Sequence, residues 1–220
     1  MKKMHRTLLL LLALVMALTF TACQPQEPDE PEVPTLPDAL VTLRENVTLL
    51  AGNAASSLSR NSFSTSYMNL LNSGEGREYK EYANIKATLD QLVLEYGAYQ
   101  IYMLTDLDDD LTALEVTAAS NTAGSAPVGE WLELHKVDYA ISQAQLGTPA
   151  GDMFARQWDD GILTWTAYAP IYDLSGSIIA VLAVEFPSDV IAEYPTWNRM
   201  SDQWNGVTEP PAPAEETDAE

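Results

Sequence analysis

Cysteine is almost absent from this 220-residue chain: Cys23 stands alone. A single thiol can form no internal disulfide and no zinc cluster built on thiolates. Histidine is nearly as scarce, with His5 and His135 only. A Ser-His-Asp or Cys-His arrangement would have to rest on His135, which sits between Leu134 and Lys136 like a surface residue. No G-x-S-x-G, S-x-x-K, P-loop or H-E-x-x-H pattern occurs. The expectation is a protein that is not an enzyme and holds no cofactor and no metal. An unfamiliar hydrolase built on paired carboxylates is the residual catalytic reading. Positive charge is also sparse: 11 Lys and Arg face 32 Asp and Glu, a net charge of −21. Such a chain is repelled by nucleic acid and by anionic headgroups, so no nucleic-acid partner is expected. Part of the acid lies at Glu27–Glu32 and Glu215–Glu220, where it solvates tails.

Three of the eleven basic residues lie within the first 22. Lys2, Lys3 and Arg6 precede an apolar run from Leu8 to Phe20, and Thr21 and Ala22 then lead to Cys23. This is the order of an export signal. The run has 13 residues, short of the ~20 that span a bilayer. A cysteine after small residues at such a place resembles the lipobox of bacterial lipoproteins, with Phe20 where that family usually has leucine. The resemblance implies cleavage before Cys23 and a diacylglycerol on its thiol, hence a cell-membrane, extracytoplasmic, lipid-anchored location. Stable anchoring takes two acyl chains, since one binds only marginally. Cleavage would remove Lys2, Lys3 and Arg6 and no acid, leaving eight basic residues against the 32 acids, a net charge near −24.

Four segments follow: a signal peptide at 1–22, a Pro- and Glu-rich tether at 23–37, one domain at 38–206 and a disordered acidic tail at 207–220. Within the domain, Leu40, Leu43, Val47, Leu50, Ala54 and Leu58 recur at steps of three and four, which predicts a long helix opening near Asp38. Tyr67, Leu70 and Leu71 continue it past a weak point at Asn61–Ser64. A second helix carries Tyr79, Tyr82, Ile85, Leu89, Leu92, Val93 and Tyr96 and stops at Gly97. The period then changes. Tyr99–Leu104 and Leu114–Ala118 read as strands around a polar turn at Asp106–Asp110, and Glu130–Gln145 reads as a helix. Three strands end the domain: Met153–Gln157, Leu163–Tyr172 and Ser177–Glu185, joined at Asp160-Gly161 and Asp173–Gly176. A short helix is predicted within Val190–Trp204. The fold class is α+β: an antiparallel sheet of about five strands, with a long N-terminal helix and further helices packed on one side.

The stretch Thr166–Glu185, with Pro170-Ile171, Tyr172-Asp173, Gly176 and the apolar strand ending in Glu185, resembles the closing hairpin of Cache domains, a PAS-like family of extracytoplasmic sensors. The resemblance spans residues 38–187. It implies a small-molecule pocket between the sheet and its overlying loops. Cache domains normally lie between two membrane helices and report to a cytoplasmic output. No second span or output domain follows Val184 here, so a signal would pass through a membrane signalling protein. The family's amino-acid-binding motif is not evident, so the resemblance leaves the ligand class open. The implied function is a sensor-like lipoprotein that binds a small organic molecule. The alternative is a protein-interaction or scaffold domain of the same fold with a filled core.

Pockets of this kind are apolar and aromatic with a few placed polar groups. The residues that fit are Tyr99, Tyr102, Arg156, Trp158, Trp165 and Tyr168 on strands, and Trp131 on the covering helix. The aromatic residues among them can instead be core or exposed sheet pairs. Strand parity puts Trp165 and Tyr168 on opposite faces, so at most one of them faces a given side. Arg156 is one of few cations able to meet an anionic ligand; its other role is a surface pairing with one of the many carboxylates. Asp106, Asp108 and Asp110 look like the start of a calcium loop, but Leu111 stands where its glycine belongs and Thr117 where its closing glutamate belongs. They read as a solvated turn, with weak calcium binding left open.

Overall fold

The computed structural model describes residues 35–59, 62–105, 113–120, 128–129, 131–133, 139–158, 161–200 and 206–207. The predicted signal peptide, nearly all of the tether and of the acidic tail, Cys23, His135 and Asp106–Asp110 lie outside them.

Helix α1 runs Asp38–Ser59 and buries Leu40, Val47, Ala51, Ala54, Ala55 and Leu58. The predicted stripe is present, and its alanines bring the helix close to the sheet. At Gly151 the approach is closest: a Cβ there would lie 2.6 Å from Arg44 Cγ and 2.9 Å from Thr48 Oγ1. Helix α2, Ser62–Ser73, is a separate helix rather than a continuation of α1. Helix α3, Tyr82–Tyr96, buries Ile85, Leu89 and Leu92. It ends as expected at Gly97, where φ is +67° and the amide bonds to the carbonyl of Val93, a left-handed cap that glycine adopts without a Cβ penalty.

Strands β1 (Gln100–Thr105), β2 (Ala113–Ala119), β4 (Ala150–Gln157), β5 (Leu163–Tyr172) and β6 (Ile178–Pro187) form the body of the sheet. Their order is β4-β5-β6-β1-β2, antiparallel throughout. The last long strand lies beside the first, in the middle, which is the PAS-like order. Short strands widen the sheet: β3 (Trp131–Glu133) and β8 (Gly206–Val207) beyond β2, and β7 (Asn198–Met200) parallel to β4. The predicted α+β fold with an antiparallel sheet of about five strands is present, and the short strands extend that sheet to eight.

Three predictions are corrected. The helix predicted over Glu130–Gln145 is the strand β3 and a shorter helix, α4, at Tyr139–Gln145. Trp131 therefore lies on a strand, opposite Glu115 of β2. Between Val190 and Trp204 stand two 3-10 turns, Asp189–Glu193 and Pro195–Trp197, and β7. Helices also cover both faces: α1, α2 and α3 share a core with Ile101, Met103, Trp165, Leu182 and Val184, whereas α4 places Ala140, Ile141 and Ala144 against Tyr102, Leu104, Tyr168, Val181 and Ala183 on the other face. Short apolar stretches such as Trp131–Glu133 fit either period, and pairing with β2 decided for strand.

The β5–β6 hairpin turns where predicted. Asp173 Oδ1 accepts bonds from the amides of Ser175 and Ser177, at 2.8 and 2.9 Å, and from the Ser175 hydroxyl, at 2.7 Å. These bonds, led by Ser175, hold the Asp173 carboxyl below its usual range. Gly176 has φ +89°. No helix among the described residues is long and apolar enough to cross a membrane.

Candidate functional site

Strand alternation sends the residues of the central strands to two different environments. Trp165 is fully buried on the side of α1, and its indole N–H donates to the Asp152 carbonyl at 3.1 Å. Tyr168 faces α4. The predicted parity holds, and Trp165 does not join the other aromatic residues. Trp131 is placed on β3 by its backbone.

The structure brings four of the predicted residues together on the α4 face: Tyr102, Arg156, Trp158 and Tyr168. Their hub is Glu185, whose side chain is fully buried. Arg156 Nη1 lies 3.0 Å from Glu185 Oε1 and donates to the Tyr102 hydroxyl at 3.3 Å. The Tyr102 hydroxyl donates to Oε1 at 3.1 Å. The Thr164 hydroxyl donates to Oε2 at 2.5 Å and accepts from the Trp158 indole N–H at 3.0 Å. The Arg156 guanidinium lies 5.4 Å from the centre of the Trp158 ring, within cation–π range. The Tyr99 ring tilts against Trp158, centres 5.8 Å apart. Beside this network the Tyr168 hydroxyl donates to Asp152 Oδ2 at 3.3 Å.

Pairing register explains the convergence. Gln100 and Thr166 flank Glu185 on β1 and β5, Tyr102 and Tyr168 flank Ala183, and Arg156 pairs with Thr164. All of these side chains share one face. The Thr166 hydroxyl is buried there without a hydrogen-bond partner among the described residues. Such a group costs about 1–3 kcal/mol unless something meets it.

Burial, then the charge of Glu185, raises the Tyr102 hydroxyl well above its ordinary range. Burial, then Asp152, does the same for Tyr168. Both stay protonated and can donate. Loss of hydration pulls Arg156 down, but Glu185, followed by Tyr102, Tyr168 and Asp152, outweighs it and fixes the guanidinium as a cation. The pairing read from the sequence as a surface contact is therefore a buried one, with the Arg156 side chain 11% exposed.

Glu185, Thr164 and Asp152 were not among the residues chosen from the sequence. Glu185 had a visible signal: it is the only charge in the apolar strand Ile178–Pro187, and a lone acid in a core strand requires a partner. Two cavities, one along α1 and one between α2 and α3, lie on the other side of the sheet. No group of three His, Cys, Asp or Glu among the described residues is placed to hold a metal.

No family model matches the chain and no curated protein does. Solved structures do. The sensor domain of the Vibrio cholerae histidine kinase DctB is similar at 12% identity and TM-score 0.48, over 70% of this chain and 55% of that one. The ligand-binding domain of the Campylobacter jejuni chemoreceptor Tlp3, solved with 4-methylisoleucine, is similar at 16% identity and TM-score 0.35, over 76% and 66%. The Aquifex aeolicus nlh2 GAF domain is similar at 11% identity and TM-score 0.34, over 69% and 88%. The chain spans less than two thirds of the DctB and Tlp3 domains. The likeness is distant, and the functional reading rests on this chain's own residues.

Proposed function

We propose that this chain is a lipid-anchored extracytoplasmic domain that binds a small organic molecule on the α4 face of its sheet and acts through a membrane signalling protein. The observation that carries the reading is the cluster of Arg156, Glu185, Asp152, Tyr102, Trp158 and Tyr168, with the unmet Thr166 hydroxyl beside it. It combines buried aromatic side chains with a few fixed polar groups, the composition of ligand sites. Glu185 already meets Arg156, so a purely anionic ligand finds no advantage there. Two carboxylates stand against one guanidinium, and this balance favours a ligand that carries an ammonium group, over which the aromatic rings supply cation–π attraction.

Thermal shift of the purified chain against amines, amino acids, carboxylates, sugars and nucleobases tests this. An amine-bearing compound at about 100 times its dissociation constant adds ~2.7 kcal/mol, raising the melting temperature by roughly 5–10 °C. Tyr168→Phe keeps the ring but removes the bond to Asp152 and should abolish most of that shift. A panel with no shift rejects binding at this face. The anchor is tested separately: Cys23→Ser should leave the membrane fraction, and a variant that still sediments with membranes rejects lipidation as the anchor.

The second reading is a scaffold domain with a filled core. It is favoured by the closure of the Arg156–Glu185 pair within the protein. It expects Tyr168→Phe to change no binding and a protein partner to co-purify.

A further inference from the structure

Among the described residues the ion pairs are Lys86–Asp90 and Arg156–Glu185. Arg44 belongs to neither. In a chain with 32 acids for 11 bases, a half-buried arginine without a carboxylate is unexpected. Among the described residues its hydrogen bond is to a thioether, Arg44 Nη1 to Met153 Sδ at 3.0 Å, and a thioether is a weak acceptor. The arginine is also held in place. Its Cγ rests against the backbone of Gly151, where any Cβ would collide with it. That contact seats the stem on β4 and reduces the ordering cost of using the head group.

Arg44 lines a groove of about 480 Å³ between the outer face of α1 and Pro149. The volume is in the range of small-molecule sites. Thr48, Asn53 and Ser56 offer hydroxyl and amide groups along it, and Leu49 and Pro149 give it an apolar wall. Thr48 donates to the carbonyl of Arg44 at 2.7 Å, which leaves its oxygen able to accept but turns its proton inward. The groups on its lining residues that can donate are the guanidinium, the Asn53 amide and the Ser56 hydroxyl. Glu45 stands at the rim, exposed.

We infer that this groove is a second binding site, for a small carboxylate or phosphate monoester with a short apolar tail, its anionic head on Arg44 and its tail on Leu49 and Pro149. The groove lies on the opposite side of the sheet from the Glu185 cluster, so the two sites are separable.

Titration calorimetry of the full chain with hexanoate, hexyl phosphate and hexan-1-ol tests the assignment. At least one anion should bind saturably, with the alcohol at least about tenfold weaker, since charged hydrogen bonds carry the head group. Comparing the two anions tells which head is preferred. Arg44→Met keeps the stem and removes the charge, and should weaken the anion about tenfold or more. Glu45→Gln removes a like charge and should tighten it by roughly two- to threefold. Tyr168→Phe should leave it unchanged, which separates this site from the one on the sheet. Should Arg44→Met fail to fold, Asn53→Asp on the exposed helix face serves instead and should weaken the anion several-fold. Absence of saturable binding by either anion overturns the assignment. So does binding that is indifferent both to Glu45→Gln and to the charge change at position 44 or 53.

Discussion

Glu185→Ala is expected to destabilise the fold by about 3–5 kcal/mol, the usual cost of removing one partner of a buried ion pair. The side chain is fully buried and Arg156 is 11% exposed, so solvent can do little to replace what is lost. The substitution takes away the acceptor of three groups at once: the Arg156 guanidinium, the Tyr102 hydroxyl and the Thr164 hydroxyl. Glu185→Gln should cost less, because an amide oxygen still accepts while the charge is gone. The double variant Arg156→Met, Glu185→Leu should recover much of the loss, since a buried pair and an apolar replacement of similar volume are nearly equivalent in stability. Urea unfolding of the two single variants and the double gives the coupling directly. A loss under about 1 kcal/mol for Glu185→Ala would place the pair among solvent-screened contacts and remove the hub from the site. The comparison also bears on function: if the pair contributes little net stability, what it does supply is a fixed position for Arg156 and Tyr102.

The main helices and the closing hairpin were legible because their signals are local. The stripe from Leu40 to Leu58 fits one helical face, Gly97 ends α3, and the Asp173–Gly176 turn carries its own side-chain hydrogen bonds. Parity along β5 separated Trp165 from Tyr168 without any knowledge of the partners. What could not be read locally was pairing. Trp131–Glu133 is three residues long, and only its alignment with Ala113–Glu115 makes it a strand. The placement of α4 on the far face was equally invisible locally, since it depends on which sheet face its Ala140, Ile141 and Ala144 pack against. The site was half legible for the same reason. Arg156 and the aromatic residues announce themselves by type, whereas Glu185 becomes their partner only once β6 lies between β1 and β5. Asp152 was missed because β4 begins at Ala150 rather than at Met153.

Alkaline pH should unfold this protein steeply, through three tyrosines that the fold keeps neutral. Tyr67 is fully buried, with its hydroxyl bonded to Thr105 at 2.5 Å and to Thr117. Burial outweighs both bonds and raises its pKa from 10.0 to about 12. Tyr102 and Tyr168 are raised well above their ordinary range, by burial first and then by Glu185 and Asp152 respectively. Tyr82, partly buried, is pulled the same way. In the unfolded chain each of these ionises near its ordinary value of about 10. The folded state therefore holds more protons above that pH, and stability must fall as pH rises. Below the unfolded value both states are protonated and the effect is absent. Above it each such tyrosine removes about 1.4 kcal/mol per pH unit, or roughly 4 kcal/mol per unit for the three together. The share of Tyr67 levels off near its folded value, after a loss on the order of 3 kcal/mol. Urea midpoints measured between about pH 8 and 11 give the slope, and ultraviolet absorbance of tyrosinate reports ionisation in the same samples. The tyrosinate signal of the buried residues should rise only with unfolding. Tyr67→Phe should remove about one third of the slope while costing on the order of 1 kcal/mol at neutral pH, because Thr105 and Thr117, 3.4 Å apart, can still bond to each other. A midpoint that holds steady to about pH 11, or tyrosinate forming in full before unfolding, would mean that these hydroxyls reach solvent. The sheet face bearing Tyr102 and Tyr168 would then be open rather than closed around Glu185 and Asp152.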